Sequence, residues 1–281
     1  MEWDEIESEP ENDEEPPRDQ VIDSAKSEIQ AFFNEKSRRP NVYYLTQLQV
    51  IFEKRFFHWI VGKAVSELVR EDHLRDSFSV LRQNPGEQGS RVRFIYHPSC
   101  RSIKRQIDRK IKLIRKFSAE TLGRATGLQA EILFSRGLMK HGFKFIGQNT
   151  KEYNGRFWST SGHDLDYIFE ADGLAYGCEI KNRFEYITRE EFRIKVRLCH
   201  YLGITPLFIV RWAPKSYINE IAASGRGFTL LFETHMYPPG QEDLIAEIKS
   251  EFQGLPVDCP KDIPGSILNR FLTWHRRRTH R

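Results

Sequence analysis

Cysteine is scarce in this sequence, with four residues among 281. They lie too far apart for a disulfide framework or for the closely paired spacing of a zinc site: Cys100, Cys178, Cys199 and Cys259. This scarcity excludes the small, disulfide-stapled class of protein. It is typical of a reducing compartment, so we expect a cytoplasmic location.

Long hydrophobic runs are missing as well. The longest apolar stretches, residues 56–61 and 206–210, fall far short of the ~20 residues that a membrane-spanning helix needs. The first twenty residues carry ten acids and one arginine, which is the opposite of a basic, apolar secretory leader. We therefore expect no membrane association and no signal peptide.

Charge is unevenly distributed along the chain. The net charge is +4, yet the first twenty residues contribute −9, so the remaining residues sum to +13. A basic body of this size favours an anionic partner, and nucleic acid is the commonest one. The acidic, proline-containing start predicts a largely disordered tail over residues 1–37, which we interpret as a solvating leader rather than a mimic of DNA.

Residues 38–117 predict a helical unit that ends in a hairpin and a basic helix. Apolar spacing indicates three helices, over residues 46–54, 56–59 and 61–71. Alternating segments on either side of a turn-rich stretch indicate a hairpin, with strands at residues 77–82 and 91–97. This order of elements resembles the winged helix-turn-helix domain.

In that family the third helix enters the major groove of DNA and the wing contacts the phosphate backbone. The resemblance therefore implies DNA contacts from the third helix and the wing: Lys63, Arg70, Arg91 and Arg93. Glu67 on the third helix is an awkward complement for phosphate. A unit that binds protein, or that only completes the fold, stays open as the alternative.

A strongly basic segment follows the predicted hairpin. Residues 101–116 contain eight basic residues and one acid, and four isoleucines recur on one helical face. One aspartate cannot pair with eight bases, so we interpret the segment as a helix whose outer face binds phosphate. Its candidate contacts are Arg105, Arg109 and Lys112.

The most informative stretch is residues 163–181, HDLDYIFEADGLAYGCEIK. The Asp-Gly pair at residues 172–173 is a strong signal for a two-residue hairpin turn. That turn places Leu165 opposite Ile180 and predicts one continuous apolar face. A shift of one residue would expose this apolar set, so the register is well specified.

The other face of the predicted hairpin carries charges. Asp164 faces Lys181, and a solvated surface with an ordinary cross-strand ion pair explains that contact. Asp166 faces Glu179, and like charges directly opposed destabilise a sheet. Two close carboxylates are retained when a divalent cation lies between them, since Mg²⁺ takes oxygen ligands and keeps several waters. The pattern therefore predicts a Mg²⁺ site.

The elements around the hairpin complete a mixed α/β unit. A capping box at Thr126 predicts a helix to residue 141, with Glu131 on its core side, followed by a short strand. A second capping box at Thr188 predicts a crossover helix before the parallel strand at residues 206–211. The outer face of that helix either binds phosphate or is simply solvated, and its candidates are Arg189 and Arg193.

The order of helix, three strands, helix and strand, with Asp on the second strand and Glu-Ile-Lys on the third, resembles the PD-(D/E)XK (restriction endonuclease-like) nuclease superfamily. The resemblance covers about residues 118–212, although Leu165 stands where the motif has proline. It implies that Asp166 and Glu179 bind the metal, with Asp164 as a rival ligand. It also implies that Lys181 orients or activates the attacking water and that Glu131 is the helix acid.

The predicted fold is therefore α/β, with an N-terminal winged-helix domain followed by an αβββαβ core around a mixed sheet over residues 118–281. The predicted function is a restriction- or defence-type endonuclease that hydrolyses double-stranded DNA with Mg²⁺, for which Mn²⁺ can substitute. A homodimer would suit cleavage of both strands. Three alternatives stay open: a resolvase of branched DNA or a repair nuclease, an RNA substrate, and a non-catalytic DNA-binding regulator.

Overall fold

The computed structural model describes residues 18–82, 88–223 and 227–279. Contacts within the chain divide it into two compact units, and the boundary lies between Arg109 and Lys110. The sequence places this boundary after residue 117 instead. The difference arises because Lys110 already belongs to the second unit, where its ammonium group donates to the carbonyl oxygen of Glu251. No helix in the described ranges is both long and apolar enough to cross a membrane.

The first unit combines helices with a small antiparallel sheet. Its elements are α1 (Arg18–Asn34), β1 (Val42–Tyr44), α2 (Leu45–Phe52), α3 (His58–Arg70), β2 (Arg75–Leu81) and β3 (Ser90–Tyr96). The strands lie in the order β1-β3-β2. The predicted hairpin between β2 and β3 is confirmed, with Phe78 paired to Arg93. Its predicted turn falls largely on residues 83–87, which lie outside the described residues.

The prediction of a disordered tail through residue 37 is wrong for α1. This helix buries an apolar stripe against the core of the first unit, which includes Ile22, Ala25, Ile29 and Phe33. The spacing of these residues is that of one helical face, and burying it stabilises the helix despite the acids that precede it. Residues 1–17 lie outside the described residues.

The aromatic stretch at residues 56–59 does not form a helix of its own. Phe56 is buried in the core, and α3 begins directly afterwards, at His58, with Phe57 in the N-cap position. In the described residues before β2, the first unit has three helices, because α1 takes the place of the predicted short helix. One helix precedes β1 and two follow it.

The second unit is built on a five-stranded mixed sheet of order β10-β9-β8-β7-β4. Helix α4 (Ile103–Phe117) carries the unit boundary, and the elements after it are α5 (Glu120–Lys140), β4 (Lys144–Thr150), β5 (Glu152–Tyr153), β6 (Arg156–Phe157), β7 (Leu165–Ala171), β8 (Leu174–Lys181), α6 (Arg189–Leu202), β9 (Thr205–Val210), α7 (Lys215–Ala223), β10 (Phe228–Leu231), β11 (His235–Met236), α8 (Glu242–Glu251), β12 (Val257–Asp258) and α9 (Gly265–Thr279). Strands β4, β7 and β8 are antiparallel neighbours, whereas β8, β9 and β10 run parallel. The prediction of a mixed α/β fold is confirmed.

The β7–β8 hairpin forms in the predicted register. Tyr167 pairs with Cys178, and the pairing continues to the turn, where Asp172 and Gly173 both have positive φ. Such φ values are what a tight hairpin turn requires, and they explain the Asp-Gly pair. The aromatic side of this hairpin packs with Phe134 of α5 and with other residues of one large core cluster.

Helix α6 covers the opposite side of the sheet, and its predicted start is confirmed. The Thr188 hydroxyl accepts a hydrogen bond from the Glu191 amide, and Gly203 ends the helix with a positive φ. Helix α6 approaches β8 closely at Gly177, where a Cβ atom would lie only 2.6 Å from the sulfur of Cys199. The face of α6 that carries Cys199 therefore packs directly on the middle of β8.

Candidate active site

Asp166 lies at the point where the strands of the hairpin stop pairing. The ladder between β7 and β8 ends at Tyr167 and Cys178. Beyond it, the Asp166 carboxylate accepts a hydrogen bond from the backbone amide of Ile180 at 2.6 Å. A side-chain oxygen thus occupies the position that a backbone carbonyl would take in a regular ladder, and it ties the Asp166 carboxylate to the strand that carries Glu179.

The predicted position of Leu165 is wrong. Leu165 packs with Ile168, Leu198 and Cys199 on the α6 side of the sheet, and not with the aromatic residues on the α5 side. The prediction assumed a regular ladder through residue 165. Because regular pairing stops at Tyr167, the alternation of faces does not extend to this residue.

Glu179 is a buried carboxylate held between two lysines. Its side chain is 1% exposed, and its Oε1 atom lies 2.5 Å from the ammonium nitrogen of Lys181. Its Oε2 atom lies 2.5 Å from the ammonium nitrogen of Lys195, whose side chain is 5% exposed. Removing a carboxylate from water is strongly unfavourable unless it is paired, and the two lysines supply this pairing for Glu179.

Lys181 bridges two carboxylates. Besides Glu179, it contacts Glu191 at the start of α6, with 3.1 Å between nitrogen and oxygen. Burial alone would lower the pKa of Lys181, but the charges of Glu179, Asp166 and Glu191 outweigh it and raise that pKa above its ordinary value. Lys181 is therefore a stable cation at neutral pH and is unsuited to act as a base.

Asp166 lies in a region with an excess of negative charge. Burial, followed by the charge of Glu179, raises the pKa of Asp166 to about 7, although the Ile180 amide and the two lysines oppose this shift. The folded protein therefore holds a proton on this carboxyl group to a higher pH than an exposed aspartate does. An additional cation beside it would favour the ionised form.

Glu131, on α5, is the remaining acid of the predicted catalytic site. It is half-buried, and its Oε2 atom accepts a hydrogen bond from the Tyr167 hydroxyl at 3.3 Å. Burial raises the pKa of Glu131, while the charge of Lys181 lowers it and that of Glu179 raises it. The helix acid therefore lies close enough to interact with the Glu179–Lys181 pair.

The predicted pair between Asp164 and Lys181 is not formed. Asp164 precedes the first residue of β7. Its carboxylate lies 3.9 Å from the ammonium nitrogen of Lys195, which also donates a hydrogen bond to the Asp164 carbonyl oxygen. Because Asp164 lies outside the strand, it has no cross-strand partner. Its side chain is 47% exposed, in contrast to Glu179.

Sequence reasoning missed Lys195 and Glu191. Lys195 lies between Phe192 and Cys199 on the buried face of α6. A lysine at a buried helical position needs a partner, so this spacing could have identified it. The sequence assigns Glu191 to the capping box that begins at Thr188, and the contact of Glu191 with Lys181 depends on how α6 packs on the sheet.

The site offers two carboxylates to a metal ion. Within the described ranges, no group of three or more His, Cys, Asp or Glu residues is placed to hold one. Mg²⁺ is nevertheless often bound through one or two carboxylates and several waters. Both oxygens of the buried Glu179 carboxylate lie 2.5 Å from lysine ammonium nitrogens, so a metal ion there would have to share this carboxylate with Lys181 and Lys195. Asp166 and Glu179 are the two carboxylates of this site that would serve as its ligands.

The predicted DNA contacts of the first unit differ in their surroundings. Arg93 is tied within the unit, because it donates to Asp76 at 2.8 Å and to the Ser66 hydroxyl at 2.8 Å. Arg91 is exposed, and its guanidinium lies 4.3 Å from the ring centre of Phe78. The other two candidates lie exposed on α3: Lys63 and Arg70.

The remaining basic candidates are exposed on two helices. Helix α4 carries Arg105, Arg109 and Lys112. Helix α6 carries Arg189 and Arg193, and the latter lies 3.9 Å from a carboxylate oxygen of Glu220.

Comparisons of the chain with protein-family models, with curated proteins and with solved structures give no match.

Proposed function

We propose that this protein is a divalent-metal-dependent nuclease that hydrolyses phosphodiester bonds in DNA. The observation that carries the proposal is the buried Glu179 between two lysines, next to an Asp166 whose pKa is raised to about 7. A carboxyl group with a strongly raised pKa, held beside a buried carboxylate that contacts two lysines, favours a functional site over a purely structural one.

The arrangement of elements supports the same reading. The acids and Lys181 lie on α5, β7 and β8, and the order α5, β4, β7, β8, α6, β9 follows the resemblance to the PD-(D/E)XK superfamily, with a small β5–β6 hairpin inserted. We propose that Asp166 and Glu179 hold the metal and that Asp164 does not. The exposure of Asp164 and its position before the first residue of β7 favour this choice.

The chemistry fits phosphodiester hydrolysis. A Mg²⁺ ion held by Asp166 and Glu179 would supply a Lewis acid for the attack of water on the phosphodiester. Lys181 remains protonated, so its role is to orient water or to stabilise negative charge on the phosphate oxygens, not to remove a proton. Glu131 adds a carboxylate that can hold water on the α5 side of the site.

The first unit is proposed to bind double-stranded DNA in the manner of a winged helix. Lys63 and Arg70 on α3 and Arg91 on the hairpin are exposed and suit phosphate. Arg93 would act indirectly, because its bonds to Asp76 and Ser66 hold β3 to β2 and to α3.

A non-catalytic DNA-binding regulator is the second candidate. It is favoured by the lack of a three-ligand metal group in the described part of the chain. One experiment distinguishes a nuclease from a regulator. The full-length protein is incubated with linear, nicked, branched and single-stranded DNA in Mg²⁺, Mn²⁺ or EDTA.

The proposal requires cleavage with metal and none in EDTA. Preference for branched DNA would indicate a resolvase or repair nuclease, and cleavage of linear duplex would indicate a restriction-type enzyme. Binding to all substrates without cleavage in either metal would favour the regulator.

A further inference from the structure

Lys195 is a buried cation with no part in the proposed hydrolysis. It lies on the sheet-facing side of α6, and its ammonium nitrogen is 2.5 Å from the Oε2 atom of Glu179. Its other contacts are the carbonyl oxygen and the more distant carboxylate of Asp164. A buried lysine is retained only when it is paired, and Glu179 supplies the close charge.

The two lysines that contact Glu179 differ in their exposure to solvent and in their other carboxylate partners. Lys181 is 23% exposed and has a second carboxylate partner in Glu191, so it can leave Glu179 without losing all compensation for its charge. Lys195 is 5% exposed, and its other ion pair, with the Asp164 carboxylate, is much longer at 3.9 Å. Lys195 is therefore the permanent partner of Glu179.

We propose that Lys195 is a resident cation that neutralises Glu179 in the metal-free protein and competes with a divalent ion for that carboxylate. This inference rests on the metal site of the proposed function. A positive charge in contact with a ligand oxygen repels a second cation. Because both side chains are buried, solvent screens this repulsion only weakly. Lys195 thus keeps the metal-free site assembled at the expense of metal affinity.

Lys195→Met tests the inference, since methionine approximates the aliphatic part of lysine without its charge. In EDTA the variant should melt at a lower temperature than the wild type, because Glu179 loses its permanent partner. Saturating Mn²⁺ should restore most of that loss. The Mn²⁺ affinity of the protein without DNA, measured by calorimetry, should rise by roughly fivefold or more.

Lys110→Met is the matched control. Lys110 is also buried in the second unit and contacts an acidic residue, Glu251, on α8. This variant should melt at a lower temperature without recovery in Mn²⁺ and with unchanged Mn²⁺ affinity. Lys195→Arg keeps the charge and should bind Mn²⁺ as weakly as the wild type.

The inference is overturned if Lys195→Met binds Mn²⁺ no more tightly than the wild type, or if neither protein binds Mn²⁺. It is also overturned if the stability loss is the same in EDTA and in Mn²⁺. If the single variant does not fold, Lys195→Met combined with Glu179→Gln must fold, because the unpaired charge is then gone. Failure of the double variant would make Lys195 a packing residue.

These measurements contain no DNA. The nuclease proposal fails if metal-loaded wild type leaves every substrate intact, and that result would leave the Mn²⁺ affinities and melting temperatures unaffected. The two failures are therefore distinguishable.

Discussion

The Asp166 carboxylate accepts a hydrogen bond from the backbone amide of Ile180 at 2.6 Å, directly after regular pairing between β7 and β8 ends. This bond holds the Asp166 side chain to the strand that carries Glu179 and Lys181. It also places a carboxyl group where burial and the Glu179 charge raise its pKa to about 7. Strand geometry and site electrostatics are thus linked through one hydrogen bond.

Asp166→Asn should stabilise the metal-free protein near neutral pH. The pKa of this carboxyl group rises from its ordinary 3.8 to about 7 in the folded protein, so the folded state binds the proton more tightly. The free energy of unfolding of the wild type should therefore fall as the pH rises from about 4 to about 7. The asparagine variant has no such pH-dependent loss. Above pH 7 its free energy of unfolding should therefore exceed that of the wild type by up to about 4 kcal/mol.

Urea denaturation in EDTA at several pH values measures this difference. Asparagine can still accept the bond from Ile180, so the variant isolates the charge. Parallel pH profiles for the two proteins would contradict the assignment of a raised pKa to Asp166.

Lys181→Met should slow the chemical step by about 10²–10³-fold, a size typical for the loss of one charge-stabilising donor in an active site. The measurement is a single-turnover rate at saturating Mg²⁺. Lys181→Arg should recover part of the rate, and Lys144→Met, on exposed β4, should match the wild type. Weaker Mg²⁺ binding with a normal rate at saturation would show that Lys181 serves only the metal.

Replacing Arg105, Arg109 and Lys112 by alanine should weaken DNA binding and its salt dependence. Each neutralised phosphate contributes about −0.9 to the log–log slope of affinity against salt, so the slope should fall by up to ~3. Binding titrations at several salt concentrations give the slope. The control replaces three bases that already contact acids: Arg124, Lys140 and Lys249. Equal slopes in both triple variants would make the basic face of α4 a solvated surface.

Phe33→Ala should destabilise the first unit by about 3–5 kcal/mol, the usual cost of removing a fully buried phenylalanine. Phe33 is 0% exposed and lies in the core, although composition alone predicts disorder up to residue 37. Ala31→Ser, at an exposed position of the same helix, should cost well under that amount. Equal melting curves for the two variants would mean that α1 does not support the unit.

Local signals in the sequence were sufficient for the hairpin and for α6. The Asp-Gly turn specifies a register in which Tyr167 faces Cys178, and the Thr188 hydroxyl caps α6 as predicted. These features depend on residues that are near one another in sequence. The start of α1 was hidden because acids and prolines dominate the composition just before its apolar stripe.

The contacts that define the candidate site are less accessible to sequence reasoning. Lys195 reaches Glu179 from a separate helix, and Arg93 is drawn to Asp76 and Ser66 instead of the surface. The displacement of Leu165 depends on one side chain replacing a backbone carbonyl in the ladder. Each of these depends on tertiary packing, which a pattern of polar and apolar residues does not contain.

Cleavage of end-labelled duplex and branched DNA by wild type, Glu179→Gln and Glu170→Gln, each in Mg²⁺, tests the central claim most directly. Glu170 lies on the same hairpin near its turn and accepts a hydrogen bond from Tyr153. It is therefore a control carboxylate on the same hairpin that is not part of the Lys181–Glu179–Lys195 cluster. The account predicts cleavage by wild type and by Glu170→Gln, and loss of at least about 10²-fold in Glu179→Gln with DNA binding retained. Equal Mg²⁺-dependent cleavage by all three proteins, or none by wild type, would contradict it.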